Sequence, residues 1–475
     1  MISSNAQELD SRLSCFPRLL SITFILMIVL LIGLEKYALS FAVAMLPMTY
    51  IFVSKLSYES LMLLIIASVF FPLQFQFGGK DAFTSAQLLI IYVFLQTVLK
   101  DIVSKKYYSH TNTYNFSLNM LLLSGAVSSF TIINSSLFGK SIRTYVYLLS
   151  SVLLYKLIVK IKFDDPSARV RFLQKALEFI IVMVCIQILI GVLILYFPNT
   201  GQLFTVFLPQ NMDTLEFEFA DNYFRFRSII LNPENTGELI AVISPSLYYL
   251  IVSKFKVRYL IYLFVLIAGL FLSVTRSGAI LFILSSFISL FIFDIKLAKK
   301  VLSLMTAPLF ISLPLLFFPE IANPIFSRLN EALSLYETTG HLADAAGRGF
   351  VLESGWPFLL STLSIVGNGM LTPADINPSM LQFHNLLMTI IFQNGIFGSF
   401  FYLFFLLCLF VPLLKLSLPG NSQYSNLHRA LCLSCFLLFL NEMKFEFNRI
   451  GSYYILIWVM FSLYSLSCNI LDESA

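Results

Sequence analysis

The sequence predicts an all-α, polytopic integral membrane protein with about 12–14 transmembrane helices and two larger outer loops. Of the 475 residues, 58% are hydrophobic and only 12% are charged. Soluble proteins carry about 25% charged residues, so the composition excludes an ordinary soluble protein. Apolar runs recur along the whole length, and we therefore expect one membrane domain, residues 1–475, without an appended soluble domain.

Fourteen apolar stretches are candidate membrane spans, and several are short or interrupted. Their approximate limits are 19–34, 37–53, 57–73, 84–100, 116–133, 142–159, 174–197, 236–253, 258–274, 278–294, 301–318, 386–414, 430–443 and 450–468.

The distribution of positive charge predicts the orientation of these spans. With the N-terminus in the cytoplasm, twenty of the 31 Lys and Arg residues fall on the cytoplasmic side. Because Lys and Arg accumulate in cytoplasmic loops, we place both termini there. The first span lacks a small-residue cleavage site and is expected to be a retained signal anchor. The two long loops, 198–235 and 319–383, then face the periplasm or the cell exterior.

Arg225 and Arg227 lie in the first long loop, shortly before a span that begins near Asn235 or Thr236 as its N-cap. A guanidinium beside a helix N-terminus suits an anion such as phosphate, because the backbone N–H groups and the helix dipole favour negative charge. The alternative is that these arginines pair with acidic residues of the same loop or with lipid headgroups.

Arg276 lies between two spans that leave almost no loop, on the side where positive charge is disfavoured. The small pair Ser277-Gly278 follows, which permits a close approach of another backbone or a ligand. Arg276 is therefore a candidate anion-binding residue, and an interface anchor is the alternative.

The second long loop contains Arg348 between two glycines, with Trp356 eight residues further on. The flanking glycines suit a loop that approaches a bulky partner. Trp356 is explained equally well by stacking on a sugar ring and by a position at the membrane interface.

His384-Asn385 opens a run of 31 residues that ends at 414. A continuous helix of this length measures about 46 Å, which exceeds a hydrocarbon core of about 30 Å. We therefore predict a break at Asn394-Gly395. His384 changes charge near neutral pH and is a candidate general base at the outer face. The alternative is a histidine that is hydrogen-bonded at a helix start.

Several kinds of chemistry have no sequence signal. The outer loops contain no paired carboxylates, histidines or cysteines at metal-ligand spacing, so no metal is expected. No glycine-rich phosphate loop follows a strand, and no cofactor or nucleic-acid partner is predicted. The six cysteines lie in or beside predicted spans and indicate no disulfide framework.

Four segments in this order resemble the O-antigen polymerase and O-antigen ligase family of bacterial envelope glycosyltransferases. They are RFRSIILNPENTGELIAV (225–242), VTRSGAILFIL (274–284), GRGFVLESGW followed by IVGNGM, and HNLLMTIIFQNGIFG. The resemblance covers about 225–414. The chain departs from the family where two arginines, Arg225 and Arg227, stand for a single one, and at Glu234 in the following turn.

The resemblance implies a metal-independent transfer of glycan from an undecaprenyl-pyrophosphate carrier at the periplasmic face of the inner membrane. By this resemblance, Arg276 and Arg227 would neutralise the pyrophosphate leaving group, and Arg348 would hold lipid phosphate or glycan. His384 would orient or deprotonate the acceptor hydroxyl. The candidate catalytic residues are thus His384 and Arg276, and the candidate substrate-binding residues are Arg227, Arg225, Arg348, Asn385 and Trp356.

Length and span number favour the polymerase, which joins lipid-linked repeat units, over the ligase, which transfers the finished glycan to lipid A–core. The expected partners are the carrier-linked glycan, the lipid bilayer and, as a further candidate, a chain-length regulator protein. A lipid-linked oligosaccharide flippase is the alternative from another class. The long outer loops, the few charges within spans and the lack of repeated halves oppose it.

Overall fold

The structure is a computed structural model, and it describes residues 57–76, 82–103, 113–163, 165–197, 200–201, 218–220, 223–225, 233–273, 275–293, 330, 334, 337–338, 349–380, 383, 385–410, 422–442 and 451–474. The chain forms two compact units, residues 1–64 and 65–475. Of the first unit, residues 57–64 are described, and they contain the beginning of a helix.

The described residues are almost entirely helical. The helices are α1 Tyr58–Phe70, α2 Ser85–Val103, α3 Thr113–Phe130, α4 Phe138–Val159, α5 Pro166–Tyr196, α6 Pro233–Lys254, α7 Val257–Ser273, α8 Arg276–Ile292, α9 Gly349–Ser361, α10 Pro373–Ile376, α11 Leu386–Phe410, α12 Ser422–Glu442 and α13 Gly451–Ser474. Two antiparallel hairpins interrupt them, formed by β1 Gln74–Gln76 with β2 Ala82–Thr84, and by β3 Glu218–Ala220 with β4 Tyr223–Arg225.

The predicted helices are confirmed wherever the chain is described. Eleven of the fourteen predicted spans coincide with helices, and the spans 19–34, 37–53 and 301–318 lie outside the described residues. In the described part of the chain, four helices are long and apolar enough to cross a membrane, and five shorter ones are apolar. The four are Phe138–Val159, Pro166–Ile194, Asn235–Lys254 and Leu386–Phe410.

Some helices begin earlier than hydropathy indicates, and the polar residues of their first two turns make specific contacts. Asp165 caps α5 and is hydrogen-bonded by Ser167 Oγ at 2.6 Å and by the backbone N–H of Ala168. These two bonds lower the pKa of Asp165 below its usual value. In α12, His428 Nδ1 lies 2.9 Å from Ser467 Oγ, and Arg429 donates to the carbonyl of Ile292 at 2.8 Å.

The contacts between helix ends agree with the predicted up-and-down alternation. Lys160 and Asp101, at the ends of α4 and α2 on the predicted cytoplasmic side, form an ion pair at 3.6 Å. On the opposite side, Lys140 in α4 pairs with Asp375 in α10 at 2.6 Å. Helix ends that are expected on the same side of a membrane therefore lie together.

An aromatic core lies between α4, α11 and α13. Trp458 is fully buried at its centre, stacked on Phe405 with ring centroids 5.5 Å apart. Tyr155 packs edge-on against both rings at 5.4 Å and 6.2 Å. A second group of contacts joins α6 with α7, α8 and α12.

The predicted break in α11 is confirmed at Gly395, whose φ of 66° and ψ of −173° interrupt the helix. This conformation is accessible essentially to glycine alone. The carbonyls on its N-terminal side find other partners, since Ser124 Oγ donates to the Asn394 carbonyl at 2.8 Å and Ser128 Oγ donates to that of Gln393. The chain following α9 supplies the remaining bonds at the break.

Candidate functional site

The first turns of α6 and α8 are in direct backbone contact. A Cβ placed on Gly278 would lie 2.6 Å from the carbonyl carbon of Gly237 and 2.8 Å from its Cα, so only glycine fits there. The close approach predicted from Ser277-Gly278 is therefore confirmed, and the approaching group is the backbone of α6. Two helix N-termini consequently lie side by side.

A buried polar cluster lies beside this contact. Glu238 is fully buried, with 0% exposure, in the second turn of α6. Its Oε1 accepts from Ser277 Oγ at 3.3 Å, and its Oε2 accepts from Asn441 Nδ2 at 2.7 Å. Burial of a carboxylate is costly unless its oxygens are bonded, so these contacts fix the start of α6, the start of α8 and the end of α12 to one another.

Arg276 is the first residue of α8 and follows the N-cap Thr275. It therefore stands at the positive end of a helix dipole, directly before the Ser277 that is bonded to Glu238. The N-cap prediction for α6 was wrong, because the helix begins at Pro233. Proline is favoured in a first helical turn, where its missing N–H would be unsatisfied in any case.

Of the other three predicted arginines, only Arg225 belongs to an element that the structure describes. Arg225 ends β4, directly opposite Glu218 in the register of the hairpin. Arg227 and Arg348 lie outside the described residues.

Asn385 is the N-cap of α11, since its Oδ1 accepts from the backbone N–H of Met388 at 3.2 Å. The predicted helix start is thus confirmed, and Asn385 has a structural role in it. His384, the residue before it, lies outside the described residues. Its position along the chain is one residue before the cap of a helix that breaks at Gly395.

Helix α9, which carries Trp356, packs on the first half of α11. Leu359 of α9 joins a buried cluster with Phe383, Met388 and Phe392. Trp356 lies outside this cluster and is 52% exposed. The structure therefore brings together the segments that contain Trp356 and Asn385, and separately those that contain Arg276 and Glu238. The other motif positions, residues 226–232, residues 339–348 and His384, lie outside the described part of the chain.

Sequence reasoning missed Glu238 and Asn441 as members of the site. The available signal was the carboxylate itself, because an ionisable residue within an apolar helix is a functional candidate by default. Its partner Asn441 is 203 residues away in sequence, and no local pattern connects the two.

A small cavity lies at the break in α11, and its largely apolar wall includes the side chains of Thr144, Met370, Gln393, Asn394 and Tyr402. Its volume is about 10 Å³, which is room for one water molecule and too little for a sugar. Among the described residues no partner is seen for Gln393 Oε1 or Asn394 Oδ1, and both amides are buried. The cavity is therefore a packing feature of the helix break and is not a substrate site.

No group of three His, Cys, Asp or Glu residues close enough to hold a metal ion is found in the described part of the chain. The expectation of a metal-independent reaction stays a prediction. Comparison with known proteins finds no relative: no family model, no curated protein and no solved structure matches the chain.

Proposed function

We propose that the protein is a glycosyltransferase of the bacterial inner membrane that polymerises undecaprenyl-pyrophosphate-linked oligosaccharide repeat units at the periplasmic face. Its product would be O-antigen or a related surface polysaccharide. The observation that carries the proposal is the junction of α6 and α8, where two segments of the family resemblance, 225–242 and 274–284, meet in direct backbone contact.

The junction suits the pyrophosphate of the donor. Arg276 opens α8, and the strand that ends at Arg225 leads through Arg227 into α6. Two adjacent helix N-termini and their arginines together favour an anion. When pyrophosphate leaves, negative charge develops on it, and positive groups already fixed in place stabilise that charge without solvent reorganisation.

Glu238 acts in this proposal as a positioning residue for Arg276. Its carboxylate accepts from Ser277 in the first turn of α8 and from Asn441 in α12. It thereby fixes the backbone that carries Arg276.

His384 would act on the acceptor. In the proposed step the acceptor oxygen forms a bond to the anomeric carbon of the donor, and the bond from that carbon to the pyrophosphate oxygen breaks. The acceptor proton passes to His384, and the electron pair leaves with undecaprenyl pyrophosphate. Asn385 supports this residue by capping α11, and α9 brings the segment after Arg348 against the same helix.

The alternation of helix ends supports the proposed location of the site. The starts of α6, α8 and α11 and the end of α12 all fall on the side opposite the Lys-rich loops, which we assign to the periplasm. Both termini are then cytoplasmic, the helix count is 12–14, and 198–235 and 319–383 are the periplasmic loops.

The ligase differs from the polymerase in the acceptor alone, and the junction of α6 and α8 serves both. A lipopolysaccharide gel of the host with the gene deleted and complemented distinguishes them. Loss of the ladder with a single repeat on the core supports the polymerase. Bare core with long chains on the carrier indicates the ligase, and bare core with unpolymerised repeats trapped in the cytoplasmic leaflet indicates a flippase.

Complementation with variants tests the site within the same experiment. Arg276→Ala and His384→Ala should fail to restore the ladder at normal protein levels. Arg171→Ala is the matched control, because it removes an exposed arginine from the predicted cytoplasmic start of α5. Restoration of a full ladder by both site variants would contradict the assigned roles.

A further inference from the structure

A strip of large apolar side chains is exposed along α9 and the turn that follows it. Trp356, Leu360, Leu363 and Ile365 are 52%, 55%, 46% and 71% exposed. The first three follow the i, i+4, i+7 spacing of one helix face. Leu359, beside the strip on the same helix, is buried and anchors α9 to the protein, so this strip, defined as these four residues, is the outward surface of an anchored element.

The strip continues into the exposed face of a candidate membrane span. The backbone N–H of Ile396 donates to the Ser364 carbonyl at 3.1 Å, and that of Phe397 donates to the Ile365 carbonyl at 3.2 Å. From there the exposed apolar residues of α11 follow one helix face, at Ile396, Phe400, Leu403 and Leu407. Because lipid must cover this face of a spanning helix, the same lipid reaches the strip beside it.

The chain returns from the turn as an irregular, non-helical segment, residues 366–372, whose backbone is hydrogen-bonded to the rest of the protein. The N–H groups of Asn368, Gly369 and Met370 donate to the Phe392 carbonyl at 3.0 Å, Ser128 Oγ at 3.0 Å and Ser141 Oγ at 2.9 Å. The Leu371 carbonyl accepts from Gln393 Nε2 at 3.0 Å. Non-helical backbone at membrane depth is tolerated only where it is buried and bonded in this way.

Residues 353–375, which include α9, the turn and the irregular segment, have a polar residue at each end. Glu353, one turn before Trp356, is exposed, and Asp375 pairs with Lys140. Along α9, the eight steps from Glu353 to Ser361 rise about 12 Å, comparable to one leaflet of a hydrocarbon core of about 30 Å. The segment thus passes from polar to apolar and back to polar over a distance that fits one leaflet.

We infer that residues 353–375 form a re-entrant loop in one leaflet, with the strip of Trp356, Leu360, Leu363 and Ile365 covered by the acyl chains of bilayer lipids. Trp356 lies at the level of the headgroups, where tryptophan is enriched. The last part of the predicted 319–383 loop then lies in the membrane, and Trp356 faces lipid in place of a sugar. This inference does not rest on the proposed function.

The chain has two tryptophans, and only Trp356 is exposed, since Trp458 is fully buried. The Trp458→Phe variant, reconstituted in phosphatidylcholine vesicles, therefore reports on Trp356 alone. We expect it to lose most of its emission when the lipids are brominated on the upper acyl chain. Acrylamide in the water should quench it little.

Two comparisons keep the test decisive. If Trp458→Phe does not fold, the difference between the wild type and Trp356→Phe isolates the same signal. In a background without either tryptophan, Asn134→Trp places the probe in the exposed turn between α3 and α4, and acrylamide should quench it strongly.

Two outcomes would overturn the inference. Quenching of Trp356 by acrylamide and not by brominated lipid would place the strip in water. Loss of the lipid quenching on addition of undecaprenyl phosphate would assign the strip to a polyprenyl carrier, in place of bulk lipid.

Discussion

Asn441 Nδ2 donates a hydrogen bond to Glu238 Oε2 at 2.7 Å, and this contact joins the end of α12 to the start of α6. Glu238 also accepts from Ser277, the residue that follows Arg276. One buried carboxylate therefore links three helices at the junction that we propose binds the donor pyrophosphate.

Glu238→Gln should lower the rate of glycan transfer about tenfold or more, equivalent to about 1.4 kcal/mol in the barrier. Glutamine keeps the size of the side chain and can still accept from Asn441 while donating to Ser277, so chiefly the charge is lost. The thermal unfolding midpoint in detergent should stay close to that of the wild type. The kinetic loss should appear in kcat for the donor, because positioning acts on the charge that develops during transfer.

Glu178→Gln is the matched control for this change. Glu178 lies in α5 and pairs with Arg258, at the start of α7, at 2.6 Å. This ion pair is on the predicted cytoplasmic side, away from the starts of α6 and α8. Its replacement should leave transfer unchanged. Equal losses in the two variants would indicate a general effect of charge removal and would refute a special role for Glu238.

Gly278→Ala should destabilise the protein by about 1–3 kcal/mol, since the added methyl group meets backbone atoms that cannot yield. Thermal unfolding in detergent measures the effect. Gly355→Ala on α9 is the control, because its methyl group would come no closer than 3.2 Å to the Phe383 ring and 3.5 Å to the end of the Met388 side chain. A similar midpoint for both variants would show that the contact between α6 and α8 is looser than the structure indicates.

Gly395→Ala should destabilise the protein by about 1–3 kcal/mol from backbone strain alone, because residues with a side chain rarely adopt this conformation. The methyl group would also clash with the carbonyl oxygen of Ile365. Gly125→Ala on α3 is the control, since its Cβ would lie at least 3.1 Å from its neighbours at the same break. A neutral Gly395→Ala would mean that α11 is continuous.

The sequence predicted the helices and the break in α11 well, because both depend on local information. Apolar runs determine where helices form, and a 31-residue run from 384 to 414 with Asn394-Gly395 inside it is too long for one span. The close approach at Gly278 was predicted for the same reason, from a small residue beside a tight turn.

Other features depend on contacts between distant segments and were not predicted. Residues 366–372 are polar enough to suggest a water-exposed loop. Their backbone is satisfied by Ser128, Ser141 and Gln393, which only the fold brings near. The pairing of Glu238 with Asn441 is of the same kind. His384, Arg227 and Arg348 remain predictions, because they lie outside the described residues.

Acid should weaken the contact between α4 and α10. Burial of the Asp375 carboxyl on its own raises its pKa, but hydrogen bonds from Lys140 and Thr372 outweigh burial and lower the pKa below 3.8. A lowered pKa in the folded state means that the stabilisation is complete above pH about 4 and is lost as the pH falls through the lowered value. The gain is about 0.5–1 kcal/mol, since Lys140 is largely exposed.

Thermal unfolding of Asp375→Asn across this pH range measures the contribution. The variant should be less stable than the wild type near neutral pH, and the two should converge in acid. Lys140→Met should reduce the same pH-dependent difference. A constant gap between Asp375→Asn and the wild type at every pH would exclude the ion pair as its source.

The most direct test of the central claim is transfer by purified protein in vesicles that contain an undecaprenyl-pyrophosphate-linked repeat unit, without added metal and with a chelator present. The account predicts glycan products longer than one repeat and one undecaprenyl pyrophosphate released per bond formed. Arg276→Ala and His384→Ala should abolish both, while Glu178→Gln should retain them. Folded wild-type protein that releases no undecaprenyl pyrophosphate, or His384→Ala that transfers at the normal rate, would contradict the account.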